Sequence, residues 1–186
     1  MKNIVAVFMA ALSMGVMADL KIATVNMVDL VRLHPDHEKN RTLVKSTDKD
    51  YKDKLSKYQD DLKQISEDLR KAFEDAQNPM LSASAKAASQ KKIEDLQKKG
   101  MAAQQELRTA ANRFQSDLTD LETRLLKLET EDIRTKINAF AKANGYDLVA
   151  DSTMLAFSSD KLDVTDEILK ALKVDPAKRK EKKDSK

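Results

Sequence analysis

No cysteine and no tryptophan occur in the 186 residues, glycine and proline occur three times each, and aromatic side chains make up 4%. Without cysteine there is no disulfide, no thiolate nucleophile and no cysteine-ligated zinc, although a thiol-free chain is tolerated in any redox compartment. Only Gly100 and Gly145 remain once the first eighteen residues are set aside. Two isolated glycines cannot make a phosphate-cradling loop, so P-loop nucleotide hydrolysis is excluded. The charged fraction of 35% excludes a polytopic membrane protein, and the scarcity of aromatics excludes a large aromatic core.

Long apolar runs are also missing. The uncharged stretch from Asn3 to Ala18 is 16 residues, short of the roughly 20 that cross a bilayer. Lys2 precedes it and Val16-Met17-Ala18 ends it, so residues 1–18 read as an export signal cleaved after Ala18. No cysteine is available there for lipidation. Loss of Lys2 with the signal leaves 33 basic and 31 acidic side chains. The excess lies at the end: residues 173–186 hold seven basic and three acidic groups and no apolar residue beyond Ala177. That composition predicts a disordered basic tail, a solubilising terminus whose membrane contact is at most peripheral.

What the chain has in quantity is heptad pattern. Tyr51, Leu55, Tyr58, Leu62, Ile65, Leu69, Ala72 and Ala76 recur at steps of four and three, a seam within a helix over 36–77. Ile93, Leu96, Gly100, Ala103, Leu107, Ala110, Phe114, Leu118, Leu121, Leu125 and Leu128 repeat the pattern within a second helix from Ser82 to Ala143. Asn78-Pro79 separates them and Asn144-Gly145 ends the second. A connection this short makes antiparallel neighbours, so residues 35–143 are expected to form one coiled-coil hairpin with its tip near 78–82. Numbering pairs so that they sum near 161 sets Phe73 against Ala88, Ile65 against Leu96, Tyr58 against Ala103, Leu55 against Leu107 and Tyr51 against Ala110, large groups facing small ones.

The flanks, 19–34 and 144–172, form the expected body. Leu20–Asn26 and Tyr146–Asp151 alternate at period two and read as strands with one buried face, and Leu155-Ala156-Phe157 reads as a shorter third strand. Met27–Leu33 fits a two-turn helix, and Leu162–Leu172 a terminal helix capped by Thr165 or Asp163. The fold class is therefore α+β, mostly α: a long antiparallel helical hairpin on a small β-sheet body. A body of about 45 residues is too small to hold an adequate core alone. With disulfides impossible, association completes it, its sheets closing into a barrel. Ile22, Val25, Leu148, Val149 and Phe157 are the candidate hub residues.

Candidate chemistry is sparse. His34-Pro35-Asp36-His37 is the one cluster of imidazoles and a carboxylate, and it reads as surface turn residues, not a metal site. Asn40-Arg41-Thr42 matches a glycosylation acceptor pattern, but mid-helix. Carboxylate pairs such as Asp60-Asp61 and Glu67-Asp68 lie on solvated faces, where nothing tunes them for acid–base work. No catalytic, cofactor or metal-binding residue is assigned. Residues 71–113 carry a net charge of +3, without the interleaved aromatics of a nucleic-acid surface.

In order along the chain, Lys21-Ile22-Ala23-Thr24-Val25-Asn26-Met27 follows the signal, the charged hairpin comes next, then Tyr146-Asp147-Leu148-Val149-Ala150-Asp151, Leu155-Ala156-Phe157-Ser158-Ser159 and Leu162-Asp163-Val164-Thr165-Asp166-Glu167-Ile168-Leu169. This arrangement resembles the Skp (OmpH-like) family of periplasmic chaperones over essentially the whole mature chain. The resemblance implies a periplasmic homotrimer, a barrel hub bearing three arms that enclose unfolded outer-membrane proteins, without ATP or any other cofactor and without enzymatic activity. The family's proposed lipopolysaccharide role is not carried over, because arms and body together are slightly acidic here. On this reading Met80 and Leu81 at the tip, with Lys86, Lys91, Lys92, Lys98 and Lys99, contact the client. The alternative is an exported structural coiled-coil scaffold of the cell envelope that binds no client.

Overall fold

The computed structural model describes residues 20–181, so the export signal and residues 182–186 lie outside the described residues. Strand β1 (Ile22–Val25) leads into helix α1 (Met27–Arg32), the 41-residue helix α2 (His37–Gln77) and the 62-residue helix α3 (Ala83–Asn144). Strand β2 (Leu148–Asp151) follows, then helix α4 (Thr165–Ala171) and the short helix α5 (Ala177–Glu181). No helix among the described residues is long and apolar enough to cross a membrane.

Each long element begins and ends where its local chemistry dictates. Asn26 caps α1 by accepting from the Asp29 amide at 2.9 Å, and Ser82 caps α3 by accepting from the Ala85 amide at 3.3 Å. Pro79 cannot continue α2, and Asn78 turns the chain by accepting from the Met80 amide at 3.0 Å. Gly145 closes α3 at φ 66°, a left-handed position that a side chain would strain.

At roughly 1.5 Å per residue α2 is about 60 Å long, and α3 exceeds it by fifteen residues at the root end, 130–144, beyond Glu129, which lies against His37. That overhang is what joins arm to body. Ile133 lies on it, fully buried with Ala23, Val25, Leu30, Leu33, Val164, Ile168, Leu169 and Leu172. These nine apolar residues are the core, and it belongs to the body; the arm has only a seam. All eight seam positions of α2 are partly or fully buried.

The register near the root differs from the expected one. Tyr51 stacks on Phe114, ring centroids 4.4 Å apart and planes within 4°, one helical turn beyond Ala110. The same offset is present at mid-arm, where Gly100 rather than Leu96 alone lies against Ile65, and four-residue steps through Leu121, Leu125, Glu129 and Ile133 carry the seam round α3 toward the body. Leu128, expected in the seam, is therefore 57% exposed and Glu129 takes the buried position at 4%.

The sheet is two-stranded and parallel, Ile22 beside Leu148 and Val25 beside Asp151, which the whole helical hairpin makes possible as crossover. The third strand at Leu155–Phe157 is absent: a 3-10 turn, Ser152–Met154, diverts the chain and leaves Phe157 85% exposed. The other edge of β1 is taken by Val164, whose amide donates to the Thr24 carbonyl at 2.9 Å. With both edges and both faces covered, Ala23, Thr24 and Val25 are buried in succession, so β1 lacks the alternation expected of a half-exposed strand. The terminal helix begins at Thr165, three residues later than expected, after a 3-10 turn at Asp160–Leu162. Its N-cap position is Val164 rather than Thr165 or Asp163, and Asp163, one residue earlier, accepts from the Thr165 amide at 2.9 Å.

The expectation of a disordered tail fails for its first part. Beyond Leu172 the chain turns back, Val174 packs against the core, and α5 carries Arg179 to Asp29, Asp163 and Asp166 at 2.9, 2.7 and 3.2 Å. Three carboxylates outweigh the tail's solubility. Burial pushes the Asp163 carboxyl up, but hydrogen bonds from Thr165 and Arg179 outweigh this and hold it below its ordinary 3.8.

A Cβ on Gly100 meets only the Ile65 Cγ2 at 3.6 Å, so Gly100→Ala stabilises by about 0.5–1 kcal/mol in chemical denaturation, whereas Gly145→Ala destabilises. Because its folded pKa is depressed, the stability from Asp163 is present above pH 3.8 and is lost as pH falls through the folded value. Asp163→Asn is therefore less stable than the parent at pH 7, and the gap narrows below about pH 4.

Candidate functional site

The arm is charged, yet its apolar seam is open from the side. The Tyr51–Phe114 stack lies under Lys54, whose ammonium is 5.5 and 5.8 Å from the two ring centroids. Next to it, Tyr58 and Phe114 line a groove edged by Lys54, Lys57 and Asp61. Further out, Leu62, Ile65, Leu69, Leu96 and Met101 line a cavity of ≈430 Å³ where Gly100 leaves the surface hollow. Met101, Phe73, Leu43 and Leu126 are exposed along the same rod. These grooves lie away from the tip named from the sequence, and the two-helix width of the arm accounts for them, since neither side of the seam has cover.

Met80 is 90% exposed and Leu81 is half-buried against the turn. Lys91, Lys92, Lys98 and Lys99 are exposed on α3 and Lys86 is half-buried. Among the described residues no ion pair neutralises any of the five, so the distal arm presents free cations beside apolar points.

At the root, the histidines read as surface turn residues are instead the joint between arm and body. His34 is buried; its Nδ1 accepts from the Asp36 amide at 3.2 Å, which leaves Nε2 carrying hydrogen toward Asp132 at 3.3 Å. His37 Nδ1 lies 3.0 Å from Glu129, whose other oxygen accepts from Asn40 at 2.7 Å. Pro35 turns the chain directly beneath the overhang of α3, so each imidazole meets its own carboxylate rather than a shared point. The Asn40 amide of the glycosylation-like pattern is thus engaged within the joint.

A model of the family described as "Outer membrane protein (OmpH-like)" matches residues 21–172. The chain belongs to the OmpH-like family. No curated protein matches it. Membership supports, in general terms, a periplasmic chaperone of outer-membrane proteins and fits a role that is not enzymatic.

In this OmpH-like chain the body leaves a row of apolar groups outside. Ile22 and Leu148, paired in register, are 37% and 50% exposed, and Phe157 is the most exposed of the body's large apolar groups. Val25 is buried inside the protomer and Val149 packs against the core, so of the five candidate hub residues three face outward. The outer edge of β2 has no strand partner among the described residues.

Glu129 gives the joint its test. Glu129→Ala leaves the half-buried Asn40 amide and His37 ring without their acceptor, and is expected to cost about 1–2 kcal/mol in urea unfolding. Glu129→Gln, which still accepts from Asn40, costs less.

Proposed function

We propose that this chain is an ATP-independent holdase of the periplasm that encloses unfolded outer-membrane proteins between helical arms until they reach the membrane. The observation that carries the reading is the arm itself: a rod of about 60 Å, densely charged, with its apolar seam accessible through side grooves and with isolated exposed points such as Met80, Phe73 and Met101. Each point offers little apolar area, so a single contact is weak. Many such contacts on one flexible client add as avidity, and the client stays mobile enough to leave. Release then needs no nucleotide, because a downstream acceptor that binds the client better draws it away by mass action.

Export through the signal ending at Ala18, an arm over 35–143 on a body from the flanking segments, and assembly through the bodies belong to the same reading. Ile22, Leu148 and Phe157 are the residues that a second and third copy would cover, and the free edge of β2 is where a barrel would close. Three copies set around such a hub would enclose a space between their arms. Met80, Leu81 and the lysines at 86, 91, 92, 98 and 99 are the proposed distal contacts.

The test is light scattering from a urea-unfolded outer-membrane barrel diluted into buffer with the mature protein. Stoichiometric protein suppresses aggregation if it is a holdase; an envelope scaffold leaves the scattering unchanged. Met80→Ser with Leu81→Ser weakens suppression several-fold by removing apolar area from the tip. Unchanged suppression by that variant contradicts the tip assignment and leaves the side grooves as the contact.

A further inference from the structure

The family-matched segment ends at Leu172, yet the nine residues after it are tied to the body at both ends. Lys173 takes φ 61°, a left-handed turn that costs a side chain roughly 1 kcal/mol and sends the chain back over the body. Val174 donates its amide to the Leu169 carbonyl at 2.9 Å and packs its side chain on the core. Asp175 accepts from the Ala177 amide at 2.9 Å and starts α5. From α5 the Arg179 side chain, 13% exposed, sends Nε to Asp29, Nη1 to Asp166 and Nη2 to Asp163.

The three aspartates come from two distant stretches, one on α1 and two at the entry to α4. The Asp29 side chain is 8% exposed, and Arg32 reaches its other oxygen at 2.6 Å. Carboxylates gathered this closely repel one another unless a cation stands among them. A lysine ammonium offers a point charge, whereas the planar guanidinium can engage three separate acceptors at once. The same contacts raise the Arg179 pKa above its ordinary value against the opposing effect of burial.

We propose that residues 173–181 are a strap, seated by Arg179, that locks α1 to the entry of α4. The strap acts on the piece of the body from which the arm departs, since α2 begins five residues after α1 ends. It is a feature of the terminal extension and does not depend on the chaperone reading.

Hydrogen exchange on the full-length mature chain tests it. Arg179→Gln is expected to speed exchange roughly tenfold in α1 and over 163–171, while the arm over 51–110 is unchanged. Lys178→Gln, which removes an exposed charge beside the seat, leaves both regions as in the parent. Arg179→Lys restores only part of the protection, and adding Asp163→Asn to Arg179→Gln slows exchange again by removing one repelling charge. The strap is refuted by parent-like exchange in Arg179→Gln, by an equal rise along the arm, or by full protection in Arg179→Lys.

Discussion

The apolar side chains between α2 and α3 are covered only by the facing helix, because the arm is two helices wide and offers no third element to close either side. A rod of this kind is held by a seam of half-buried groups, Tyr51, Leu55, Leu62, Ile65 and their partners, and by the low cost of keeping a charged exterior in water. The same geometry that limits its stability leaves grooves at Tyr58 and Phe114 and at Ile65 and Met101. Weak internal cohesion and accessible apolar surface are thus one property seen from two sides. A compact domain would bury these groups and lose the surface.

Holding such a rod at a fixed angle falls to its root, where the fold changes from apolar to polar cohesion. The seam residue due after Leu125 is Glu129, and its buried carboxylate is matched by His37 and Asn40 across the hairpin. Directional hydrogen bonds set orientation more tightly than apolar packing does. Nearby, Asp29 receives both Arg32 and Arg179, so the short helix between strand and arm is gripped at its polar end. Ion pairs and hydrogen bonds here do what a larger core does in a bigger domain.

Much of this layout was legible in the sequence because it is written locally. Heptad steps, Asn78-Pro79, Ser82 and Gly145 each act within a few residues, and they placed the hairpin and its ends closely. The two main strands were legible for the same reason. What was not legible depends on partners far along the chain. His37 meets a carboxylate 92 residues away and Arg179 one 150 residues away, so the histidines looked like turn residues and the arginine like part of a solvated tail. Leu155–Phe157 has strand composition but no strand beside it within one protomer, since Ser152–Met154 turns it aside. Val25 was named for the hub, yet it lies in the protomer's own core, beside Val164.

A body with nine buried apolar residues leaves an exposed row at Ile22, Leu148 and Phe157, which copies of the chain are proposed to cover. Sedimentation equilibrium of the mature protein at micromolar concentration measures this most directly. A mass of three chains, falling toward one when Phe157 and Leu148 are changed to charged residues, is the result predicted. A folded species with the mass of a single chain at that concentration contradicts it.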